Sequence, residues 1–550
     1  MKIALAQLNY HIGNFESNTE KIISHIDRAK LEGADLVLFS ELSLTGYYPH
    51  DMLERKEFIL EAHKYINEIA KKCIGIAAVI GSPTINESER GKKLFNSAVF
   101  INDGKVTSVH HKSLLPTYDI FDEYRHFEPN KEFKVIEFKD ERIAITVCED
   151  LWDEQPTNNE FGRDKLYQTS PMEELSKQDP TVVLNLSASP FSFNQENWRK
   201  NILISKAKKY QVPIVYVNQV GAQTELVFDG GSVFINSNGE IIKELSYFQE
   251  DFKIIDTKNP GKIELQKEAD YIEKIHNALV LGIRDYFAKM GFKRATLGLS
   301  GGIDSAVTVV LAVEALGAEN VRVLLMPSKY SSQHSIDDAM YLAENLKIQY
   351  DIVKIQDVVD AFNRDLSPIF AGLPEDVTEE NIQARARGVF VMALSNKFGS
   401  ILLNTTNKSE CAVGYGTLYG DMNGGLAVLG DVYKTDVFKL AHFMNRNGEV
   451  IPENSIVKPP SAELRPGQKD TDSIPDYGIL DEILFNYIEM NKSPEEIMEK
   501  GFSRETVLKV THMVNINEYK RFQAAPILRI SSKAFGFGRK MPLVAKYLLS

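Results

Sequence analysis

The sequence predicts an α/β protein of two domains, an α/β sandwich over residues 1–255 and a doubly wound parallel sheet over residues 269–550. With 550 residues, the chain is longer than one hydrophobic core normally serves. Short apolar runs alternate with amphipathic stretches along the first half, and a strand-like run enters a glycine loop and a helix near residue 300. The segment 256–268 (DTKNPGKIELQKE) is polar and aperiodic, which is typical of a linker.

Composition and charge disfavour several classes of function. Lys plus Arg number 63 against 76 Asp plus Glu, and the resulting charge of −13 opposes a nucleic-acid backbone, so no nucleic-acid partner is expected. The three cysteines (Cys73, Cys148 and Cys411) lie too far apart for a disulfide framework or a spaced metal cluster, which favours a reducing cytoplasm. No apolar run approaches the roughly 18 to 20 residues of a membrane-spanning helix, so no membrane anchor is expected.

In the first half, apolar runs such as KIALAQL, DLVLFSEL and TVVLNLSAS predict strands, and helices are expected near 17–33 and 57–72. The sequences NDG at 102–104 and NSNG at 236–239 are typical of hairpin turns. Part of the strand pairing should therefore be antiparallel, which favours a sandwich over a simple doubly wound sheet.

In the second half, RATLGLS and VRVLLMP predict strands, with helices expected at 270–290, 304–316 and near 333–346. A strand, a helix and a parallel strand in succession form the unit of a doubly wound nucleotide-binding sheet.

The loop SGGIDS, residues 300–305, carries the clearest chemical signal. Gly301 and Gly302 would expose backbone N–H groups at a positive helix N-terminus, where phosphate binds. Ser300 and Ser305 add hydroxyl groups, and Asp304 could reach a magnesium ion that bridges phosphates. A helix start that is merely rich in glycine is the alternative interpretation.

The loop differs from two common nucleotide-binding motifs. It lacks the lysine of a Walker A loop and the glycine spacing of a dinucleotide loop. It resembles instead the loop of the ATP pyrophosphatase superfamily, and this resemblance implies adenylation of a substrate with release of pyrophosphate.

Glu41, Lys112 and Cys148 each follow a strand-like run. A thiol is mostly protonated at neutral pH, because its reference pKa is about 8.5, and it needs a nearby base and cation to attack an amide. Taken singly, a buried cysteine or a surface charge is the simpler interpretation. Together and in this order the three resemble the triad of the nitrilase superfamily, which implies a four-layer αββα sandwich; Cys73 is expected to be structural.

The two halves together resemble the glutamine-dependent NAD⁺ synthetases over essentially the whole chain. The resemblance implies that ATP adenylates deamido-NAD⁺ and that ammonia from glutamine then displaces AMP, yielding NAD⁺, AMP, pyrophosphate and glutamate. Further matching segments are NIQARARG (381–388), NTTNKSE (404–410), GYGTLYGDMNGG (414–425), VYKTDV (432–437) and SSKAFGFGRKMP (531–542).

Residue by residue, the resemblance implies the following roles. Tyr118, Glu149 and Ser189 would bind glutamine. ATP would be bound by Ser300, Gly301, Gly302, Asp304, Ser305, Arg387 and Thr405, Mg²⁺ by Asp304 and Glu410, and deamido-NAD⁺ by Asp421, Lys434 and Lys533. Glu123 is either a second carboxylate near the triad or an exposed acid on a loop, and it stays outside the predicted triad.

The family resemblance also implies an interior ammonia tunnel and a homo-oligomer of undetermined size. Three other functions stay open: an ATP pyrophosphatase that modifies tRNA, a synthetase whose first half is a non-catalytic interaction domain, and an amidotransferase that acts on a different acid. The acidic charge and the absence of paired cysteines disfavour the first. The presence of all three triad residue types disfavours the second.

Overall fold

A computed structural model describes residues 1–154, 166–193 and 195–546. The chain divides into two compact units, residues Met1–Glu268 and Ala269–Ser550. No helix in the described parts of the chain is both long and apolar enough to cross a bilayer.

The first unit contains strands and helices in alternation. Its strands are β1 (Lys2–Gln7), β2 (Leu36–Leu38), β3 (Ala77–Ile85), β4 (Leu94–Asn102), β5 (Lys105–His111), β6 (Val135–Phe138), β7 (Glu141–Val147), β8 (Val182–Ser187), β9 (Ile214–Asn218), β10 (Val220–Gln223), β11 (Leu226–Asp229), β12 (Val233–Ile235), β13 (Ile241–Glu244) and β14 (Asp251–Asp256). Its helices are α1 (Phe15–Leu31), α2 (Lys56–Ala70), α3 (Pro171–Ser176) and α4 (Gln195–Tyr210).

Two six-stranded sheets form the centre of this unit, in the orders β14-β1-β2-β3-β4-β5 and β13-β12-β9-β8-β7-β6. Successive side chains of β1 point to opposite faces of its sheet, and this alternation determines how the sheet packs. Ile3 and Leu5 enter the core between the two sheets, whereas Ala4 and Ala6 enter the core beneath α1 and α2. A third core joins α4 to the outer face of the second sheet. The result is the predicted four-layer αββα sandwich.

Both predicted hairpins are present in this unit. The turn at 102–104 joins the antiparallel strands β4 and β5, and the turn at 236–239 joins β12 and β13. Asp103 and Gly104 have φ values of 50° and 79°, the left-handed backbone that such tight turns require.

The described residues of the second unit form five strands and a larger set of helices. Its strands are β15 (Ala295–Gly298), β16 (Val321–Leu325), β17 (Gln349–Ile352), β18 (Ile401–Asn404) and β19 (Leu426–Ala427). Its helices are α5 (Tyr271–Met290), α6 (Ile303–Leu316), α7 (Gln333–Asn345), α8 (Gln356–Phe370), α9 (Val377–Phe398), α10 (Lys408–Val413), α11 (Lys434–Met444), α12 (Glu453–Val457), α13 (Tyr477–Leu484), α14 (Pro494–Met498), α15 (Arg504–Ile516) and α16 (Glu518–Arg521).

The sheet of this unit has the order β17-β16-β15-β18-β19, and each neighbouring pair is parallel. The predicted doubly wound parallel sheet is therefore confirmed. Because the strand order reverses between β15 and β18, their carboxyl ends open a crevice where ligands bind in such sheets.

Candidate active sites

The three residues of the predicted triad follow three different strands of the first unit. Glu41 lies just past β2, Lys112 directly follows β5, and Cys148 directly follows β7. The first two strands belong to one sheet of the sandwich and the third to the other. The sandwich thus brings together residues that lie far apart in the sequence.

Lys112 is the centre of this buried cluster. Its Nζ lies 2.8 Å from Glu41 Oε1 and 2.7 Å from Glu123 Oε1, and all three side chains are at most 1% exposed. Burial alone would lower the pKa of Lys112, but the charges of Glu123 and Glu41 outweigh it and hold that pKa well above its usual value. Lys112 is therefore a permanent cation in the cluster.

Neutral hydrogen-bond donors fix the two carboxylates. Glu41 accepts from Asn96 Nδ2 at 2.7 Å and from the backbone N–H of Ala188 at 3.0 Å. Glu123 accepts from the hydroxyl of Tyr47 at 2.8 Å. Each carboxylate thus has partners besides the lysine, as a buried charge requires.

Glu123 belongs to the cluster, so the alternative of an exposed loop acid is wrong. Burial raises the pKa of Glu123 to about 7. The charge of Lys112 opposes this rise, and the charge of Glu41 adds to it. Sequence reasoning could not decide this position, because Tyr47 and Asn96, which enclose it, come from distant segments.

Cys148 lies at a sharp turn between β7 and the short 3-10 helix Cys148–Leu151, with φ at 44°. This left-handed backbone is strained for a residue with a side chain, and such strain is concentrated at functional positions. Burial and the charge of Glu41 raise the pKa of the Cys148 thiol well above its usual value, with Lys112 opposing them. The resting group is therefore a thiol that needs a base.

Asp150 anchors this turn to the segment that carries Lys112. Its carboxylate accepts the backbone N–H groups of Ser113 and Leu114, each at 2.9 Å, and of Val147 at 3.0 Å. Sequence analysis did not select Asp150, although it stands two residues after the candidate nucleophile.

Glu149 faces two tyrosines next to the cluster. Its Oε1 accepts from the hydroxyls of Tyr118 at 2.8 Å and Tyr167 at 3.0 Å. Burial raises the pKa of Glu149 to about 7, although Lys112 and both tyrosines lower it. Tyr118 and Glu149 were predicted to act together; Tyr167 was missed, because an isolated tyrosine gives no signal in the sequence.

Ser189, the third predicted glutamine contact, is buried at the end of the segment that follows β8. Its backbone N–H donates to Asn218 Oδ1 at 2.8 Å. Its neighbour Ala188 donates to Glu41, so this segment borders the cluster.

In the second unit, a cleft of about 320 Å³ opens at the reversal of strand order. The SGGIDS loop forms its floor between β15 and α6. Gly301 has φ at 79°, and a Cβ there would lie 2.2 Å from the carbonyl oxygen of Ser335. Only glycine fits this position, which leaves the loop backbone open to a phosphate.

The two serines of the loop contact each other. Their Oγ atoms lie 3.1 Å apart, and Ser300 Oγ accepts from the backbone N–H of Gly302 at 3.2 Å. Ser305 Oγ donates to the carbonyl of Gly302 at 2.9 Å. These bonds hold the turn that precedes α6.

Two carboxylates and one lysine meet at one end of the cleft. Lys434 Nζ forms a short ion pair with Asp304 and lies 3.7 Å from Glu410 Oε1. Asn407 Nδ2 donates to Asp304 Oδ1 at 2.9 Å. Burial and the charge of Asp304 raise the pKa of Glu410 to about 8, with Lys434 opposing them. The predicted residues Asp304, Glu410 and Lys434 therefore form one electrostatic unit.

Arg387, Thr405 and Asp421 also line the cleft. Arg387 Nε donates to the carbonyl of Met326 at 3.2 Å, and Asp421 accepts the backbone N–H of Thr417 at 2.7 Å. Burial lowers the pKa of Arg387 to about 10, yet it stays charged at neutral pH.

Lys533 was predicted to bind deamido-NAD⁺, but it is not among the described residues that line this cleft. Its backbone carbonyl accepts from Lys408 Nζ at 3.0 Å. Two lining residues that sequence reasoning missed are Asp470, which accepts from Tyr477 and Tyr415, and Lys458, which contacts Glu463.

The fold and the two sites define a carbon-nitrogen hydrolase unit joined to an NAD synthase unit. The carbon-nitrogen hydrolase profile matches residues 2–259, and the NAD synthase profile matches residues 275–524.

Similarity to whole proteins extends over the full chain. A glutamine-dependent NAD(+) synthetase of Synechocystis sp. is 46% identical over 99% of both chains, and one of Thermotoga maritima is 42% identical over 100% of this chain and 99% of its own. The solved glutamine-dependent NAD⁺ synthetase of Acinetobacter baumannii, in complex with adenosine diphosphate, is 40% identical, has a TM-score of 0.77 and covers 99% of both chains. The chain belongs to the glutamine-dependent NAD⁺ synthetases, enzymes of the ligase class.

Proposed function

We propose that this chain converts deamido-NAD⁺, ATP and glutamine into NAD⁺, AMP, pyrophosphate and glutamate. The observation that carries the proposal is the presence in one chain of a buried Glu–Lys–Cys cluster and an SGGIDS loop at the switch point of a parallel sheet. The first site supplies nitrogen and the second activates the acid that accepts it.

At the first site, Cys148 attacks the carboxamide carbon of glutamine. Glu41 accepts the thiol proton, because its carboxylate is held by Asn96 and Ala188 beside Lys112. Lys112 stabilises the developing thiolate and the oxyanion of the tetrahedral intermediate. The proton then passes to the leaving nitrogen, ammonia departs, and water releases glutamate from the thioester.

Glutamine is recognised by Tyr118, Glu149 and Ser189. The carboxylate of Glu149 binds the α-ammonium group of the substrate, and the hydroxyl of Tyr118, at 2.8 Å, keeps that carboxylate oriented. Tyr167 supports the same oxygen at 3.0 Å.

At the second site, the nicotinate carboxylate of deamido-NAD⁺ attacks the α-phosphorus of ATP, and pyrophosphate leaves. Ser300, Gly301, Gly302 and Ser305 bind the phosphates with backbone and hydroxyl donors, supported by Arg387 and Thr405. Asp421 contacts the nicotinate end of deamido-NAD⁺, and Lys434 contacts its phosphate-rich part. Ammonia then attacks the acyl-adenylate and AMP departs.

Asp304 and Glu410 suit a Mg²⁺ ion, since hard carboxylate oxygens are the donors this cation prefers. Burial and the charge of Asp304 raise the pKa of Glu410 to about 8, and a divalent cation would relieve this repulsion. When bound, Mg²⁺ would neutralise charge on the phosphates of ATP and orient them.

The reaction uses small molecules and is assigned to the cytoplasm, without a nucleic-acid or membrane partner. The net charge of −13 supports the absence of a nucleic-acid partner, because it opposes the charge of a phosphate backbone. A homo-oligomer is proposed as the working assembly.

The proposal is tested by supplying the two nitrogen donors separately to Cys148→Ala. We expect the variant to lose NAD⁺ formation from glutamine and to retain it from ammonium chloride. The matched control is Cys73→Ala, because burial raises the pKa of Cys73 to about 12 and its side chain is fully enclosed. Equal loss with both donors in Cys148→Ala would contradict the division of labour.

A further inference from the structure

A second cluster of metal-ligating side chains lies on the surface of the first unit. The ligand atoms of Asp51, Glu54 and His126 all lie within 4.8 Å of one another. Asp51 and Glu54 belong to the 3-10 helix His50–Glu54 and are 66% and 59% exposed, so the cluster is open to solvent on one side.

His126 distinguishes this cluster from ordinary surface acids. The residue is 8% exposed, and its Nε2 has no hydrogen-bond partner among the described residues. That nitrogen points between the two acids, 3.6 Å from Asp51 Oδ1 and 3.6 Å from Glu54 Oε1. A buried polar atom without a partner is costly, so this nitrogen calls for a ligand.

The other ring nitrogen indicates which tautomer is present. Nδ1 of His126 lies 2.7 Å from the hydroxyl of Tyr48, and this hydroxyl is 3.4 Å from the carbonyl oxygen of Asp122. If Tyr48 donates to the carbonyl, it accepts from Nδ1–H, which leaves the lone pair of Nε2 facing the acids. Metal-bound histidines are held in the same way, by a hydrogen bond from the nitrogen that does not bind the ion.

The spacing fits a small divalent cation. Ligand atoms on a tetrahedral Zn²⁺ with bonds of about 2.0 Å lie about 3.3 Å apart. The two 3.6 Å separations from Nε2 therefore need only a small closure. We propose that Asp51, Glu54 and His126 form a binding site for a borderline divalent cation of the Zn²⁺ class, with water as the remaining ligand.

One imidazole and two carboxylates determine this choice of cation. Mg²⁺ and Ca²⁺ prefer oxygen donors alone, whereas imidazole suits Zn²⁺ and its neighbours. The site is distinct from the pair Asp304 and Glu410 in the second unit, which offers only oxygen.

Arg125 is the natural competitor at this site. Its Nη2 lies 3.0 Å from Asp51 Oδ1 and 3.4 Å from Glu54 Oε1, and the side chain is 51% exposed. Exposed ion pairs contribute little to stability, so the guanidinium can swing into solvent when a cation arrives. An isolated ion-pair network is the competing interpretation, and it predicts no affinity for a metal.

The cation would also anchor the short helix that carries Glu123. Residues Glu123–Arg125 form a 3-10 helix, and the backbone N–H of His126 donates to the carbonyl of Glu123 at 3.1 Å. Glu123 in turn contacts Lys112. We therefore expect binding to stabilise the first unit, since a ligand that binds the folded state raises its melting temperature.

The experiment measures Zn²⁺ binding to tag-free full-length protein by competition with a chromogenic chelator, in excess Mg²⁺ and in the Cys148→Ala background. The variant Asp51→Asn/Glu54→Gln should lose one Zn²⁺ per chain or bind it at least about tenfold more weakly. It should also lose the Zn²⁺-dependent rise in melting temperature. Both positions are exposed, so the variant should fold.

Two further variants sharpen the outcome. Glu57→Gln/Glu61→Gln alters a similarly exposed acid pair on α2 and should leave Zn²⁺ binding unchanged. Arg125→Gln removes the competing cation and should tighten Zn²⁺ binding severalfold. Equal Zn²⁺ affinity in the Asp51→Asn/Glu54→Gln variant and its parent, or no bound Zn²⁺ in either, would overturn the proposal.

Discussion

The pH dependence of glutamine use tests the proposed role of Glu149. The carboxylate is 4% exposed and accepts hydroxyl hydrogen bonds from Tyr118 and Tyr167, and burial raises its pKa to about 7. Only the ionised form can pair with the α-ammonium group of glutamine, which stays protonated throughout this range. The sign is therefore fixed: affinity for glutamine rises as pH rises through about 7.

The magnitude follows from the ionised fraction. With a pKa of about 7, that fraction rises about tenfold between about pH 6 and about pH 8, so kcat/KM for glutamine should rise by the same factor. Glu149→Gln removes a charge-assisted hydrogen bond of about 2 kcal/mol, which is about thirtyfold in kcat/KM, and should abolish this pH dependence. The hydrogen bond from Tyr118 lowers the pKa of Glu149. Tyr118→Phe removes it, so the rise in kcat/KM should move to higher pH.

The assay is glutamate formation against glutamine concentration, with saturating deamido-NAD⁺ and ATP, at several pH values. Tyr124→Phe is the matched control, because Tyr124 is 50% exposed and lies in the same segment as Tyr118. NAD⁺ formation from ammonium chloride should be unchanged in Glu149→Gln. A kcat/KM that is flat between about pH 6 and about pH 8, or a Glu149→Gln variant with unchanged kcat/KM, would refute this reasoning.

Three further predictions concern the second site and the scaffold. Lys434→Met should reduce NAD⁺ formation from either donor by about a hundredfold or more, because the lysine compensates two partly buried carboxylates; unchanged AMP formation would contradict this. Gly301→Ala should weaken ATP binding severely, because its Cβ would lie 2.2 Å from a carbonyl oxygen, whereas Gly291→Ala, whose Cβ meets open space, should retain normal ATP binding in an equilibrium titration. Arg199→Met leaves Asp229 buried without its bidentate partner and should cost about 3 to 5 kcal/mol, measured as a fall in melting temperature; an unchanged melting temperature would show that the pair contributes nothing.

The sequence predicted the layers of the fold because periodicity and turn chemistry are local. The helix expected near 17–33 is observed at Phe15–Leu31, and the helix expected at 270–290 is observed at Tyr271–Met290. Helix ends shift by a residue or two because caps set them, such as the Asp270 side chain that accepts the N–H of Ile272.

The candidate sites were predictable where a residue follows a strand. Glu41, Lys112 and Cys148 each stand just after the carboxyl end of a strand, and the packing of the two sheets brings these strand ends together. The burial of Glu123 beside Lys112 was not predictable, because it depends on Tyr47, which lies 76 residues away.

The same limit applies to the cleft of the second unit. Lys434 was predicted as a substrate contact, yet its pairing with Asp304 across 130 residues is a property of the tertiary structure. Asp470 belongs to no motif that the sequence reveals, and only its two tyrosine partners and its place in the cleft indicate it.

The central claim is that ATP activates the nicotinate carboxylate as an acyl-adenylate, and the fate of one carboxylate oxygen tests it most directly. Deamido-NAD⁺ labelled with heavy oxygen in its nicotinate carboxylate is incubated with the enzyme, ATP, Mg²⁺ and glutamine, and the products are analysed by mass spectrometry. Adenylation requires that AMP carries one labelled oxygen, that pyrophosphate carries none, and that AMP and NAD⁺ form in equal amounts. Unlabelled AMP, or label in inorganic phosphate, would contradict an acyl-adenylate formed at the SGGIDS loop.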